Sequence, residues 1–370
     1  MRIVRAEAYL VDLDPLSKRT DATLSFEKQE TIFVELEAEG GLVGTGYAYT
    51  IGKGGRAVLE LLRSDVLHLL IGEEAREIEA LWHKLYWATH AIAGAITSLA
   101  LAAVDIALWD LKGLSLGEPL WLLAGGAQHG VPVYDTEHGW LHLDLGELVD
   151  GAKGSVANGM SGVKVKVGRP SGEEDAERLS AVREAIGPSI DLMVDANHAF
   201  TAAEARRRAL LFEKTNLYWF EEPLPPDDIA GHRELLAFTA VPVAVGESLY
   251  SPGAFQQYLN ARAASVLQPD VARVGGVTPW LKVAHTAELF NVKVAPHFLM
   301  ELHVSLACAV PNSVYVEYIP QLAPLCLSQL EIRDGLAVPP SLPGTGIDWD
   351  RERISHFAIG RAVVTNKSRL

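Results

Sequence analysis

Residues 190–223, IDLMVDANHAFTAAEARRRALLFEKTNLYWFEEP, decide the fold because they contain one complete strand–helix–strand repeat. Two short apolar runs, 190–197 and 217–223, each end in acidic residues. Between them, Thr201 and Glu204 have the spacing of a capping box, which predicts the start of a helix. A buried strand, a helix and a second buried strand in this order are typical of a parallel βαβ unit.

The same repeat recurs between residues 129 and 322. The apolar runs are 131–137, 162–167, 190–197, 217–223, 241–248, 264–270, 291–297 and 313–318. Further helix starts are indicated by Ser171 with Glu174 and by Ser251 before Pro252. Eight such repeats predict an α/β protein with a (β/α)8-type barrel as its catalytic domain. A doubly wound open sheet is the alternative, but no glycine-rich phosphate turn follows the first run.

The chain on either side of the barrel has a different pattern. Residues 1–128 begin with strand alternation, including a hairpin over 31–49, and continue with helical spacing from about Arg56 to Gly113. They predict an N-terminal α+β domain, and the family resemblance described below implies that it is a capping domain. The C-terminal segment 323–370 carries a hairpin turning at Asp334 and Gly335. We expect this segment to return to the capping domain.

Composition excludes several classes of partner. The chain has 370 residues, a formal charge of −15 and a pI near 5.3, so neither nucleic acid nor an anionic membrane is expected to bind it. The apolar stretch 91–113 is interrupted by Asp105 and Asp110 and is typical of a buried helix. Cys308 and Cys326 have no metal or redox spacing, and the N-terminus is unlike a signal peptide. These features predict a cytoplasmic protein with reduced thiols.

Ionisable or polar residues stand at the end of most barrel strands, where the active site of such a barrel lies. They are Lys164, Lys166, Asp195, Asn197, Glu221, Glu247, Asp270, His297 and Glu317. Asp195, Glu221 and Glu247 follow one another at intervals of 26 residues (221 − 195 and 247 − 221). Three converging carboxylates repel one another without a cation, and this set favours Mg2+, with Mn2+ as the alternative. Each carboxylate taken alone is more typical of a helix cap, but three at equal spacing argue against that interpretation.

Two further features indicate proton transfer. Lys164 and Lys166 alternate with valines, so both point to the barrel interior. We expect their mutual repulsion and the neighbouring dication to lower the pKa of a lysine base. Asp270 and His297 end neighbouring strands, and a carboxylate beside an imidazole fixes its tautomer. His138 and His198 also lie at strand ends and are candidates for substrate contact. Glu222 is expected to point away from the three carboxylates.

These motifs together resemble the enolase superfamily, mandelate racemase subgroup. They are KVKV, MVDAN, WFEEP, VGES, LQPDVARVGGVT, APH and VEY. The resemblance implies that the three carboxylates bind Mg2+, which holds an enediolate formed when Lys166 removes a proton α to a carboxylate. It further implies that His297, held by Asp270, acts on the other face. Lys164 and Glu317 would contact the substrate and stabilise the enediolate, and Asn197 would orient the substrate.

The resemblance implies a carbon–oxygen lyase, an Mg2+-dependent dehydratase that converts an acid sugar to a 2-keto-3-deoxy acid. The same enediolate chemistry serves a racemase or epimerase if a proton returns to the α-carbon. It also serves a lactone cycloisomerase, which is the other alternative. A silent binding protein with the same fold is a third alternative, although binding alone does not require two bases. The motif FLMELH at 298–303 is similar to that of galactarate and talarate dehydratases in the subgroup.

The expected substrate is a small polyhydroxylated carboxylate, because two loops of the capping domain, 14–28 and 49–56, are rich in polar residues. Within them and near the barrel mouth, the candidate substrate contacts are Arg19, Tyr49 and His198, in addition to Asn197, Lys164 and Glu317. Family resemblance also implies a homo-oligomer.

Overall fold

The computed structural model describes residues 1–365. The strands are β1 (Ile3–Leu13), β2 (Gln29–Ala38), β3 (Val43–Thr50), β4 (Val131–Asp135), β5 (Gly162–Lys166), β6 (Asp191–Asp195), β7 (Trp219–Glu221), β8 (Val243–Val245), β9 (Val266–Leu267), β10 (Lys293–Val294), β11 (Val316–Tyr318), β12 (Glu331–Arg333), β13 (Leu336–Val338) and β14 (Ala358–Thr365). The helices are α1 (Gly55–Leu61), α2 (Ile78–Thr89), α3 (Ala95–Leu116), α4 (Leu120–Leu123), α5 (Leu145–Ala157), α6 (Gly172–Ile186), α7 (Ala202–Phe212), α8 (Ile229–Phe238), α9 (Pro252–Ala261), α10 (Val277–Leu289), α11 (Met300–Ala309) and α12 (Arg351–Phe357).

Strands β4 to β11 form a closed parallel barrel, as the eight apolar runs predict. Neighbouring strands from β4 to β10 pair in parallel, and β11 pairs with β4. A parallel bridge between Val294 and Ser313 completes the circle. Tyr134, Trp219 and Tyr315 fill the barrel below the rim with edge-to-face contacts. The interior is therefore a packed core, and chemistry is confined to the carboxyl ends of the strands.

The helix starts predicted from sequence are present. The side chains of Ser171, Thr201 and Ser251 accept hydrogen bonds from the backbone N–H groups three residues on, at the starts of α6, α7 and α9. Each cap satisfies an N–H group that has no partner within the helix. The helices therefore begin directly after the loops that carry the strand-end residues.

The capping domain is built on an antiparallel sheet in the order β14-β1-β2-β3, covered by α3. Gly46 of β3 permits this packing, because a Cβ atom there would lie 2.1 Å from the carbonyl oxygen of Ala103 in α3. Helix α3 contains the apolar stretch 95–113 and is a buried helix, as predicted. Across residues 1–365, no helix is long and apolar enough to cross a membrane.

The C-terminal segment is divided between the two parts of the fold. The hairpin at Asp334 and Gly335 forms, but its strand β13 pairs antiparallel with the start of β4 in the barrel. The hairpin part of the segment therefore lies against the barrel and not against the N-terminal sheet. The later part of the segment returns to the capping domain, where the ring of Trp349 packs against Phe33 and Tyr47 and strand β14 pairs with β1. The domain limits 1–128, 129–322 and 323–370 stay a prediction, as do the homo-oligomer and the cytoplasmic location.

Candidate active site

Three carboxylates meet at the barrel rim. Asp195 and Glu221 end β6 and β7, and Glu247 follows β8 by two residues. One carboxylate oxygen from each lies within 4.8 Å of the other two, and all three side chains are buried. Oε2 of Glu247 is buried and accepts no hydrogen bond within residues 1–365, although Nε2 of His297 lies 3.3 Å from it. A buried carboxylate oxygen with unused acceptor capacity, in a cluster of hard oxygen ligands, fits a divalent cation such as Mg2+.

The two lysines of β5 lie beside this cluster. Nζ of Lys164 is 2.7 Å from Oε1 of Glu221 and 2.7 Å from Oε1 of Glu317. Nζ of Lys166 is 2.5 Å from Oδ2 of Asp195 and 3.0 Å from Oδ1 of Asn197. Parallel register explains the arrangement, because Lys166 pairs with Asp195 and Asp195 pairs with Glu221 across adjacent strands. The residues predicted to share the rim therefore do so.

The neighbouring carboxylates govern the protonation of the two lysines. Burial is the largest single influence on the pKa of Lys166 and lowers it, but the carboxylates of Asp195, Glu247 and Glu221 together raise the pKa above its usual value. The pKa of Lys164 is raised well above its usual value, because Glu221 and Glu317 outweigh the effect of burial. Burial raises the pKa of Glu221 to about 8. In this arrangement the acids pair with the lysines, and repulsion between the two ammonium groups is the smaller effect.

His297 lies at the other end of the cluster. Its Nδ1 atom is 2.9 Å from Oδ2 of Asp270, and its Nε2 atom is 3.3 Å from Oε2 of Glu247. Burial lowers the pKa of His297, but the carboxylates of Glu247 and Asp270 outweigh it and the pKa is raised. Next along the chain, Phe298 has a φ of 61° and its N–H donates to Oε2 of Glu317 at 2.8 Å. The loop after β10 therefore orients both His297 and Glu317.

A cavity of about 680 Å³ lies between this rim and the capping domain. On the barrel side it is lined by Lys166, Asn197, His198, Glu247, Ser248, Arg273, His297 and Glu317, among others. On the cap side its lining includes residues 23–28 and 49–53, within the two loops predicted to contact substrate. The cavity therefore joins the proton-transfer groups to those loops.

The predicted substrate contacts have different positions. Asn197 and His198 line the cavity, both with positive φ. The Nε2 atom of His198 forms an ion pair of 2.5 Å with Glu222, which lies outside the carboxylate cluster as expected. Arg19 is buried outside the cavity lining, and its guanidinium group donates to both carboxylate oxygens of Glu137 at 2.9 and 3.0 Å. Its charge is compensated by Glu137, so the geometry does not support Arg19 as a substrate contact.

Three side chains at the site were not predicted. Arg273 is partly buried and donates from Nη1 to the carbonyl oxygen of Glu247 at 2.9 Å. The ring of Trp140 lies beside Lys166, with its centroid 5.4 Å from Nζ of the lysine. Thr136 donates from Oγ1 to Glu317 at 2.7 Å. Thr136 directly follows β4, and Arg273 lies in the loop after β9, so their position after barrel strands was the available signal.

Comparison with known proteins agrees with this architecture. Residues 7–125 match the family model of the mandelate racemase / muconate lactonizing enzyme N-terminal domain, and residues 147–353 match the enolase C-terminal domain-like model. The chain belongs to the mandelate racemase / muconate lactonizing enzyme family of the enolase superfamily. The resemblance seen in the sequence motifs is thereby confirmed, as is the capped (β/α)8 barrel.

Individual members of this family are similar over most of the chain. A 3,6-anhydro-alpha-L-galactonate cycloisomerase from Streptomyces coelicolor is 36% identical, covering 96% of this chain and 99% of its own. An L-talarate/galactarate dehydratase from Salmonella typhimurium is 38% identical, over 82% of this chain and 76% of its own. The crystal structure of L-talarate dehydratase from Polaromonas sp. JS666, complexed with Mg and L-glucarate, superposes with a TM-score of 0.94 at 37% identity and covers 99% of both chains.

Proposed function

We propose that this protein is an Mg2+-dependent dehydratase of an acid sugar, an aldarate such as galactarate or talarate. The proposal rests on one observation: two proton-transfer groups bracket the carboxylate cluster. Lys166 contacts Asp195 at one end of the cluster, and His297 contacts Glu247 at the other. Both line the same cavity. A substrate bound there is within reach of a base and an acid held on different strands.

Asp195, Glu221 and Glu247 would hold the metal ion. When bound, Mg2+ neutralises the charge that develops on the substrate carboxylate as the α-proton leaves. A dicationic ion beside Asp195 also opposes the effect of that carboxylate on Lys166. The complex of the Polaromonas relative with Mg and L-glucarate supports both the metal and the class of ligand.

The side chains supply the remaining steps. Lys166 takes the proton from the carbon next to the substrate carboxylate. Lys164, already paired with Glu221 and Glu317, donates a hydrogen bond to the carboxylate oxygen. His297 then protonates the β-hydroxyl group, the carbon–oxygen bond breaks and water leaves. The enol that remains tautomerises to a 2-keto-3-deoxy acid.

The cap side of the cavity favours a dicarboxylate. Lys28 and Lys53 line the cavity from the two cap loops. Lys28 is already paired with Asp12 at 2.9 Å, whereas Lys53 is exposed and free of carboxylate partners within residues 1–365. A second carboxylate on the substrate would supply that partner. An aldarate carries such a group, whereas an aldonate does not.

A second candidate is cycloisomerisation of a sugar-derived lactone or anhydro acid. The Streptomyces cycloisomerase is 36% identical over 96% of this chain, which supports this candidate. The same α-proton abstraction by Lys166 would serve it, with an internal carbon–oxygen bond breaking instead of loss of water. Racemisation or epimerisation follows if His297 returns a proton to the α-carbon.

The test is a substrate panel of aldarates, aldonates, lactones and anhydro acids with Mg2+, assayed for 2-keto acid and followed by proton NMR in D2O. Formation of a 2-keto-3-deoxy acid from a hexarate is the expected result. Ring opening of a lactone without loss of water would support the cycloisomerase, and deuterium incorporation without net conversion would support the epimerase. No reaction with any member would reject all three.

A further inference from the structure

Tyr49 belongs to strand β3 of the capping domain, but its hydroxyl group reaches the acid/base pair of the barrel. The hydroxyl donates to Oδ2 of Asp270 at 2.6 Å. The same oxygen contacts Nδ1 of His297 at 2.9 Å. Tyr49 and Asp270 are 221 residues apart in the chain. The capping domain therefore contributes a hydrogen bond to the carboxylate that holds His297.

The position of the Tyr49 ring is fixed on both sides. The ring of Phe298 lies with its centroid 4.8 Å away, and the guanidinium carbon of Arg273 lies 5.7 Å from the Tyr49 centroid. The side chain is 3% exposed, so water does not replace Asp270 as the acceptor. A buried tyrosine has a single O–H donor, and here Asp270 receives it.

Both oxygens of Asp270 are held. Oδ1 accepts from the N–H groups of Ala272 and Arg273 at 2.8 and 3.1 Å. Oδ2 contacts Tyr49 and His297. Donors on both oxygens determine the rotation of the carboxylate, and within residues 1–365 Tyr49 is the donor that comes from the cap. Loss of its hydroxyl leaves Oδ2 with the imidazole as its hydrogen-bond partner.

We propose that Tyr49 is a positioning residue that acts through Asp270 to align His297, so that docking of the cap completes the acid/base pair. This inference rests on the proposed role of His297 in proton transfer. It differs from the sequence-based expectation that Tyr49 contacts the substrate. Removal of a group that orients a metal-bound histidine typically costs about 10- to 100-fold in activity, and we expect a loss of the same size here because Asp270 orients His297 in the same way.

The test compares Y49F with Y47F. Tyr47 lies on the same strand and is fully buried, and its hydroxyl group has no described hydrogen-bond partner. We expect Y49F to lower kcat about 10- to 100-fold with KM unchanged. Exchange of the α-proton by Lys166 should persist in D2O. Y47F should retain kcat. An increase in KM with unchanged kcat would instead make Tyr49 a substrate contact and overturn the proposal.

A second readout does not depend on turnover. In protein labelled with 15N-histidine, the Nδ1 resonance of His297, assigned with H297N, should shift in Y49F and stay in place in Y47F. If Y49F does not fold, 3-fluorotyrosine at position 49 changes the donor strength while keeping the ring, and the resonance should shift there too. An unshifted resonance would overturn the proposal. If the Nδ1 resonance of His297 shifts in Y49F but the wild-type protein converts no substrate, the positioning role of Tyr49 is supported and the proposed function is rejected.

Discussion

The Nζ atom of Lys166 lies 2.5 Å from Oδ2 of Asp195, so the candidate base contacts a candidate metal ligand. The contact is buried, and it raises the pKa of Lys166 despite the opposing effect of burial. The fraction of Lys166 in the neutral, basic form therefore depends on any other positive charge that neutralises the carboxylate of Asp195.

Replacement of Lys166 by methionine should abolish abstraction of the α-proton. General base catalysis contributes on the order of 10²- to 10⁴-fold, so exchange of the α-proton in D2O should fall by that factor. Lys153 is an exposed lysine on α5, and K153M is the matched control. Full exchange in K166M would contradict the assignment of the base.

Mg2+ should stabilise the folded protein. Binding to three carboxylates that meet within 4.8 Å should raise the unfolding free energy by about 2.7 kcal/mol at a concentration 100 times the Kd. Thermal unfolding of protein dialysed against a chelator, with and without MgCl2, measures this effect. E221Q should weaken it. An equal shift with NaCl at matched ionic strength would show that no specific site is present.

Replacement of Lys53 by methionine should weaken binding of dicarboxylates selectively. An exposed ion pair contributes about 0.2–1 kcal/mol, so KM for a hexarate should rise by up to about fivefold, and KM for the corresponding aldonate should not change. Lys18 is exposed and lies outside the cavity lining, so K18M is the control. Equal effects on both substrates would argue against recognition of a second carboxylate.

The pair His198–Glu222 should make stability depend on pH. Burial lowers the pKa of His198, but Glu222 outweighs it and raises the pKa to about 9. Because the folded state then binds the proton more tightly than the unfolded state, this stabilisation is complete below about pH 6.5 and is lost as pH rises to 9. Urea unfolding of H198Q should show a smaller decrease between these values than the wild type. H83Q, at an exposed position, should behave as wild type.

Substitution of Gly46 by alanine should destabilise the contact between β3 and α3. The added Cβ would lie 2.1 Å from the carbonyl oxygen of Ala103, so the helix must move, at a cost of about 1–3 kcal/mol. Gly154 on α5 has open space around it, and G154A should be stabilising by about 0.5–1 kcal/mol. Chemical denaturation of both variants measures the difference. Equal stability of G46A and wild type would contradict the close packing.

The set of functional residues at the ends of the barrel strands could be predicted from the sequence because it depends on two local rules. Side chains alternate along a strand, and parallel strands present their carboxyl ends at one rim. These rules placed Lys166 beside Asp195 and Asp270 beside His297, and they placed Glu222 outside the cluster. The equal spacing of the three carboxylates follows from the regular length of the βα repeat.

The sequence by itself thus determined the barrel, its cap and the set of residues at its rim, since these depend on periodicity within short segments. Only the tertiary structure decided the partners across long separations. It paired Arg19 with Glu137 and directed the hydroxyl of Tyr49 to Asp270. It also joined β13 to β4. Such contacts depend on how the cap docks on the barrel, and no local pattern of polar and apolar residues encodes that geometry.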